Sequence, residues 1–203
     1  MAILHRTTLV PTKLDLLTDW LPAQSWYVRT AARPELSRAG GFRLDDPDGE
    51  VGIEFMIVLD HADGDAAAYL VPMTYRASPL AGGDDALIGT AEHGVLGTRW
   101  IYDGTRDQAL LTQLAELIQG RAQAQAQSRS STPEPAVHTR RVPGVADAPD
   151  AKLDIAIVRA LVPADASLGP DLGLVGAGHV SATWTAVHGS QVRGIIATAR
   201  PRS

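Results

Sequence analysis

The sequence predicts an α+β fold, a largely antiparallel sheet with a few helices packed on it and a β-hairpin segment near the C-terminal end. Three observations carry that expectation. Residues 41–76 hold three apolar runs divided by two acidic turn clusters, the mark of a strand meander. "TRDQALLTQLAELIQG" over 105–120 has the strongest helical period in the chain. "HVSATWTAV" and "QVRGIIATA" flank a turn at His188–Gly189, which reads as a hairpin.

The elements follow in order. Residues 2–10 read as a strand ended by Pro11. Thr12 stands where a helix N-cap belongs, with Asp15 three residues on in the manner of a capping box. Leu14, Leu17 and Leu21 recur at helical spacing beside Leu16 and Trp20, and Pro22 stops the helix. In the meander, the middle run Ile53–Leu59 is apolar on both alternations except at Glu54, so it predicts a central strand covered on both faces. The third run contains Pro72, which has no N–H for a ladder; that strand is expected at an edge or bulged.

"SPLAGGDDALIGTAEHG" reads as a flexible stretch and "VLGTRWIYDG" as another strand. In the helix that follows, Thr105 and Gln108 are expected to form a capping box. Leu110, Leu111, Leu114, Leu117 and Ile118 make one apolar stripe, and Gly120 ends it. Residues 121–150 are rich in Ala, Gln, Ser and Pro with few core-forming side chains, and read as a linker or mobile loop. "KLDIAIVRAL" is a further strand. The organisation expected is therefore an α+β unit over 1–120, the linker over 121–150 and a β-rich segment over 151–203.

Composition narrows the function classes. The 203 residues are 45% apolar and 20% charged, ordinary for a globular protein with a sizeable core. A formal charge of −5 argues against a general electrostatic grip on nucleic acid or anionic lipid, and Arg29, Arg33 and Arg38 are the nearest thing to a basic strip. With no cysteine, thiol nucleophiles, disulfides and cysteine metal sites are excluded. "MAILHRTTLVPTKLD" lacks the apolar core of a signal peptide, and no apolar run approaches the ~20 residues a membrane span needs. A cytoplasmic protein is expected.

The succession "LLTDWLPAQSWY", then "YLVPMTYR", then "LIGTAEHGVLGTRWIYDGTRDQALLTQL" resembles the N-terminal cap domain of actinobacterial maltokinases over about residues 1–120. The resemblance implies a cystatin-like fold, a curved antiparallel sheet against a helix. It also implies a setting in trehalose and α-glucan metabolism, where the family's enzymes transfer phosphate from ATP to maltose. The chain departs from a kinase in its machinery. No H-G-D-x-x-x-x-N run and no D-F-G-like triplet is present, and too few residues follow the cap for two kinase lobes. The expectation is a cap without its kinase, with no cofactor and no catalytic residues.

Each candidate site also has a plainer role. "DDPDGE" and "DHADGD" resemble the start of a calcium loop, with His61 as an added nitrogen, but lack the bidentate glutamate; Asp-Gly between apolar runs reads as turn chemistry. Asp84, Asp85, Glu92 and His93 could form an acid–base group and read instead as an exposed polar loop. "LGPDLGLVGAGH" over 168–179 has the wrong spacing for a dinucleotide loop, and "GSQVRG" lacks the spacing of a cystatin inhibitory loop. The six histidines show no i, i+4 pair, so no zinc site is expected.

Trp20 and Trp100 are expected in the core. Trp26, Tyr27 and Arg29, in a connection, are the candidates for a binding contact, since aromatic faces stack on sugars and anchor interfaces. Two functions fit. The first is a non-catalytic accessory or regulatory protein acting in trans on a kinase or another α-glucan enzyme; the alternative is a carbohydrate-binding module. Homo-oligomerisation is compatible with both. A flat exposed apolar patch marks a partner surface, whereas a closed recess lined by tryptophan and a few polar groups marks a sugar site.

Overall fold

A computed structural model describes residues 9–62, 66–127, 132–142, 152–164 and 178–202. Strands take 46% of the described residues, so the α+β architecture is weighted towards β. The elements are β1 (Leu9–Val10), α1 (Lys13–Trp20), β2 (Leu36–Leu44), β3 (Gly52–Asp60), β4 (Ala67–Arg76), β5 (Leu87–His93), β6 (Gly97–Asp103), α2 (Gln108–Ile118), β7 (Val137–Arg140), β8 (Leu153–Ile157), β9 (Ala160–Leu161), β10 (Gly178–Thr185) and β11 (Gln191–Pro201). They form two antiparallel sheets. The first runs β1-β5-β6-β4-β3-β2, with β9 added on β4; the second runs β7-β10-β11-β8.

β3 organises the core because both of its faces are apolar. Ile53, Phe55, Ile57 and Leu59 point one way, into a cluster with Phe42, the α2 leucines and Val180, Trp184 and Ile196 of the second sheet. Met56 and Val58 point the other way, into a smaller cluster under α1 with Leu17, Leu21, Tyr69 and Ile101. Phe42 and Phe55 stack with ring centroids 4.5 Å apart. The layer order is thus α1, first sheet, then α2 with the second sheet.

The first helix forms as its sequence suggests. Thr12 accepts from the Asp15 N–H at 3.2 Å and the Asp15 carboxylate accepts from the Thr12 N–H at 3.0 Å. A 3-10 turn over Leu21–Ala23, with Pro22 inside it, carries the chain out of α1. The second helix starts two residues later than expected. Its N-cap is Asp107, which accepts from Ala109, while Thr105 lies in a preceding 3-10 turn capped by Asp103. A carboxylate displaces the expected threonine because it makes further bonds: Arg76 donates to both its oxygens at 2.8 Å, and the Thr74 hydroxyl donates at 2.8 Å. Gly120, at φ +73°, ends α2 as expected.

Two other expectations are corrected. β4 is neither an edge nor bulged at Pro72: it lies between β3 and β6, with continuous register against β3. The Leu70 N–H donates to Arg159 on the side away from β3, and residues two apart point their N–H groups the same way. Pro72 therefore directs its missing donor into the gap between β9, which pairs at Ala68 and Tyr69, and β6, which pairs from Met73 onward. Part of the stretch read as flexible is β5, paired with β6 across a register shift between Leu87 and Gly89.

"KLDIAIVRAL" divides into β8 on the second sheet and β9 on the first. In the stretch read as linker, Gln125 and Arg43 exchange backbone hydrogen bonds at 2.9 Å, and β7 pairs with β10. Backbone pairing needs no core-forming side chains, which is why composition alone does not show it. The 2–10 strand is described only at Leu9–Val10, paired with β5; residues 168–177 lie outside the described residues, as do Asp63, Gly64 and Asp65.

Asp107 joins helix start, β4 and a partly buried guanidinium. Asp107→Ala is expected to lower unfolding free energy by about 3 kcal/mol, combining a lost cap with a stranded Arg76 charge. Asp107→Asn, which keeps the cap, should lose less; urea denaturation of the two variants distinguishes them.

Candidate functional site

The strip Trp26–Arg29 connects the 3-10 turn to β2, and three anchors hold it. The Trp26 ring sits 5.8 Å from Trp20 and 6.0 Å from Tyr69, tilted against each. The Arg159 guanidinium, from the turn between β8 and β9, lies 4.7 Å over the same ring. Tyr27 is buried, and its hydroxyl donates to Asp60 Oδ2 at 2.5 Å. Burial and then the Asp60 carboxylate push that phenol well above its ordinary range. Asp60 Oδ1 accepts from the Glu35 and Ala62 N–H groups at 2.9 and 3.1 Å, so one carboxylate ties the strip to the start of β2 and to the turn after β3.

These anchors decide what the strip presents. Trp26 is half-buried with its ring covered by two aromatics and a cation, Tyr27 faces inward, and Val28 and Arg29 face solvent. Val28 is 65% exposed. Its N–H donates to the Tyr69 hydroxyl at 3.2 Å. Beside it is an apolar recess of about 180 Å³, lined by Val28, Leu59, Tyr69, Leu161, Trp184 and Val187 among others. Val162, 75% exposed, follows lining residue Leu161, and Val187 is 42% exposed at the β10–β11 turn. Two exposed valines from separate segments, Val28 and Val187, thus line one apolar recess. Trp20 and Trp100 are half-buried, whereas Trp184 is fully buried in the core.

Arg159 ties this region together. It pairs with Asp103 of β6, and its Nη2 also donates to the Thr105 hydroxyl at 3.4 Å. Burial draws its pKa down, against the opposing pull of Asp103. At the opposite end of β3, buried Glu54 accepts from Lys13 at 2.5 Å, Tyr75 at 2.5 Å and Gln127 at 2.7 Å. Burial pushes the Glu54 carboxyl up, but the Lys13 charge and the Lys13 and Tyr75 hydrogen bonds outweigh it and hold it below the ordinary 4.5. A side chain at Gly41 would block this network. Gly41 sits at φ +130°, and a Cβ there would fall 2.8 Å from Gln127 Nε2.

The acidic clusters serve turns. Asp46 accepts from the Glu50 and Val51 N–H groups at 3.0 Å, closing "DDPDGE" as a β2–β3 turn. Glu92 accepts from the Thr98 hydroxyl and His93 Nδ1 from the Leu96 N–H across the β5–β6 turn. Among the described residues no three His, Asp or Glu side chains are grouped to hold a metal, and no helix is long and apolar enough to cross a membrane. Sequence reasoning missed Arg159 and Asp60. Glu54 was visible as the one charge in an apolar run; Arg159 carries no local signal, because its partners are on β6 and in the Trp26 strip.

The fold and surface thus define a β-rich α+β protein with an apolar recess beside the Trp26–Arg29 strip. Residues 20–107, less than half of the 203, match the family model of the maltokinase N-terminal cap domain. The matched region runs from the end of α1 to the cap of α2. No curated protein matches the chain.

Because the native Glu54 carboxyl sits below its ordinary value, its ionised form stabilises the fold fully above about pH 4.5 and loses that contribution as pH falls through the lowered native value. Glu54→Gln should flatten the acid limb of the stability–pH curve below pH 4.5, leaving a residual slope from Asp107, which Arg76 and Thr74 hold down against burial. Trp26→Ala is expected to cost about 2 kcal/mol, two aromatic contacts plus one cation–π contact, while the melting transition stays cooperative.

Proposed function

We propose that this protein is a non-catalytic accessory or regulatory protein of bacterial trehalose–maltose and α-glucan metabolism, acting in the cytoplasm through a protein partner. The observation that carries the reading is the apolar recess lined by exposed Val28 and Val187 beside the Trp26–Arg29 strip. Isolated exposed valines need no explanation, but two from distant segments lining one apolar recess suit a protein contact. The cap match over residues 20–107 supports the metabolic setting, and in this reading the partner is a maltokinase-type kinase or another α-glucan enzyme. The curled antiparallel sheet with α1 on one face supports a cystatin-like description of residues 1–120, with residues 151–203 as the segment that covers the other face.

In this reading Val28 and Arg29 make the contact, and Trp26 and Tyr27 hold them in place. The carbohydrate-binding alternative draws less support. A sugar platform needs an open aromatic face, and Trp26 is covered by Trp20, Tyr69 and Arg159 while Trp184 is buried.

The test is paired affinity capture with the wild type and Val28→Asp, a substitution at a recess-lining position that is 65% exposed and so should leave the melting temperature unchanged. Capture of an α-glucan kinase or related enzyme by the wild type, reduced about tenfold or more in the variant, supports the proposal. Equal capture by both, or no such enzyme with either, overturns it.

A further inference from the structure

Among the described residues the second sheet ends in β8, with no strand beside its outer edge. The direction of its free groups follows from the register. The Val158 N–H donates to Ile196 O and the Arg202 N–H to Lys152 O, both at 2.9 Å, and both pairs are directly opposed in the β8–β11 ladder. Hydrogen-bonded and non-hydrogen-bonded pairs alternate along an antiparallel ladder. Lys152, Asp154, Ala156 and Val158 therefore bond to β11, whereas Leu153, Ile155 and Ile157 turn their N–H and C=O groups outward. Pro201, opposite Leu153, has no N–H to offer, in agreement with that phase.

We propose that this edge pairs with β8 of a second copy of the chain, antiparallel and centred on Ile155, joining two four-stranded sheets into one of eight. Twofold pairing about Ile155 sets Leu153 against Ile157 of the other copy, Ile155 against its equivalent, and Asp154 against Ala156. All three outward residues then make hydrogen-bonded pairs. Shifting the centre to Asp154 would set two carboxylates directly opposed, which is destabilising. Centring on Ala156 would leave fewer outward residues paired.

The side chains fit the same register. Leu153, Ile155 and Ile157 are half-buried against the main core and alternate with exposed Asp154 and Ala156. Beside the edge runs a groove of about 570 Å³ between β8 and α2, with Leu111, Ala115, Leu153 and Ile155 among its lining. The incoming Leu153 and Ile157 side chains seat there. The groove rim carries the ion pairs Glu116–Arg121 and Asp154–Arg202, at 2.7 and 2.9 Å. An exposed strand edge is a template for another strand, and a self-complementary one closes at two copies.

The pairing gives Ala156 a sign test, since it is exposed in the single chain and opposite Asp154 in the pair. Sedimentation equilibrium of the full chain should show a monomer–dimer equilibrium. Ala156→Lys should tighten it and Ala156→Glu weaken it, each by about fivefold across two cross-strand contacts. A wild type monomeric at every concentration overturns the proposal. So does a dimer that both substitutions leave unchanged, or shift in the same direction.

Discussion

Everything in this fold answers to the need to cover β3 on both sides. A strand reading Ile-Glu-Phe-Met-Ile-Val-Leu from Ile53 has no solvent face, and an isolated sheet offers it none to spare. One side is covered by α1 with Leu17 and Leu21. The other needs Phe42, four side chains of α2 and the inner face of a second sheet formed after residue 136. The cap-matching region, 20–107, holds β3 and most of α1's contacts but stops before α2. Its larger apolar face is therefore closed by residues outside the match, and the C-terminal third belongs to the same core.

Polar groups are placed at the ends of that strand. Glu54 and Asp60 share the α1 face of β3, separated by Met56 and Val58, and each takes a tyrosine hydroxyl. A buried carboxylate is tolerated only when its lone pairs are occupied, and both meet that condition, Glu54 with a lysine and a glutamine as well. Glu54 binds α1 and the post-α2 segment to the sheet; Asp60 fixes the strip that leads from α1 to β2. The exposed surface follows from these anchors: Val28 is displayed because Tyr27 is pulled inward and Trp26 is covered.

Much of the architecture was legible in local patterns. The Thr12–Asp15 capping box, the three meander strands, the α2 stripe with Gly120 and the closing hairpin all rest on short-range chemistry that a sequence displays directly. What was hidden depends on partners distant in the chain. Pro72 marks a gap in pairing, but only the positions of β6 and β9 show that the gap lies on one side of a central strand. Asp107 displaces Thr105 as the cap because Arg76 and Thr74 are brought to it by β4. β5 has too few apolar residues to show an alternation. Of the site, the aromatic pair was conspicuous, whereas its covering by Arg159 had no local trace, and with it the difference between an aromatic that binds and one that supports.

The order in which the core is completed has a consequence for synthesis. Made from its N-terminus, the chain finishes β3 about 140 residues before β11 completes the second sheet over it, a delay of roughly 7–28 s at ordinary elongation rates. During that interval Phe55, Ile57 and Leu59 face outward on a nascent hairpin, the kind of apolar strand surface on which chains aggregate. The cluster Asp45, Asp46, Asp48 and Glu50 lies immediately ahead of β3. Its carboxylates, which in the finished protein only shape a turn, also charge the leading end of the most vulnerable strand while it waits for its cover.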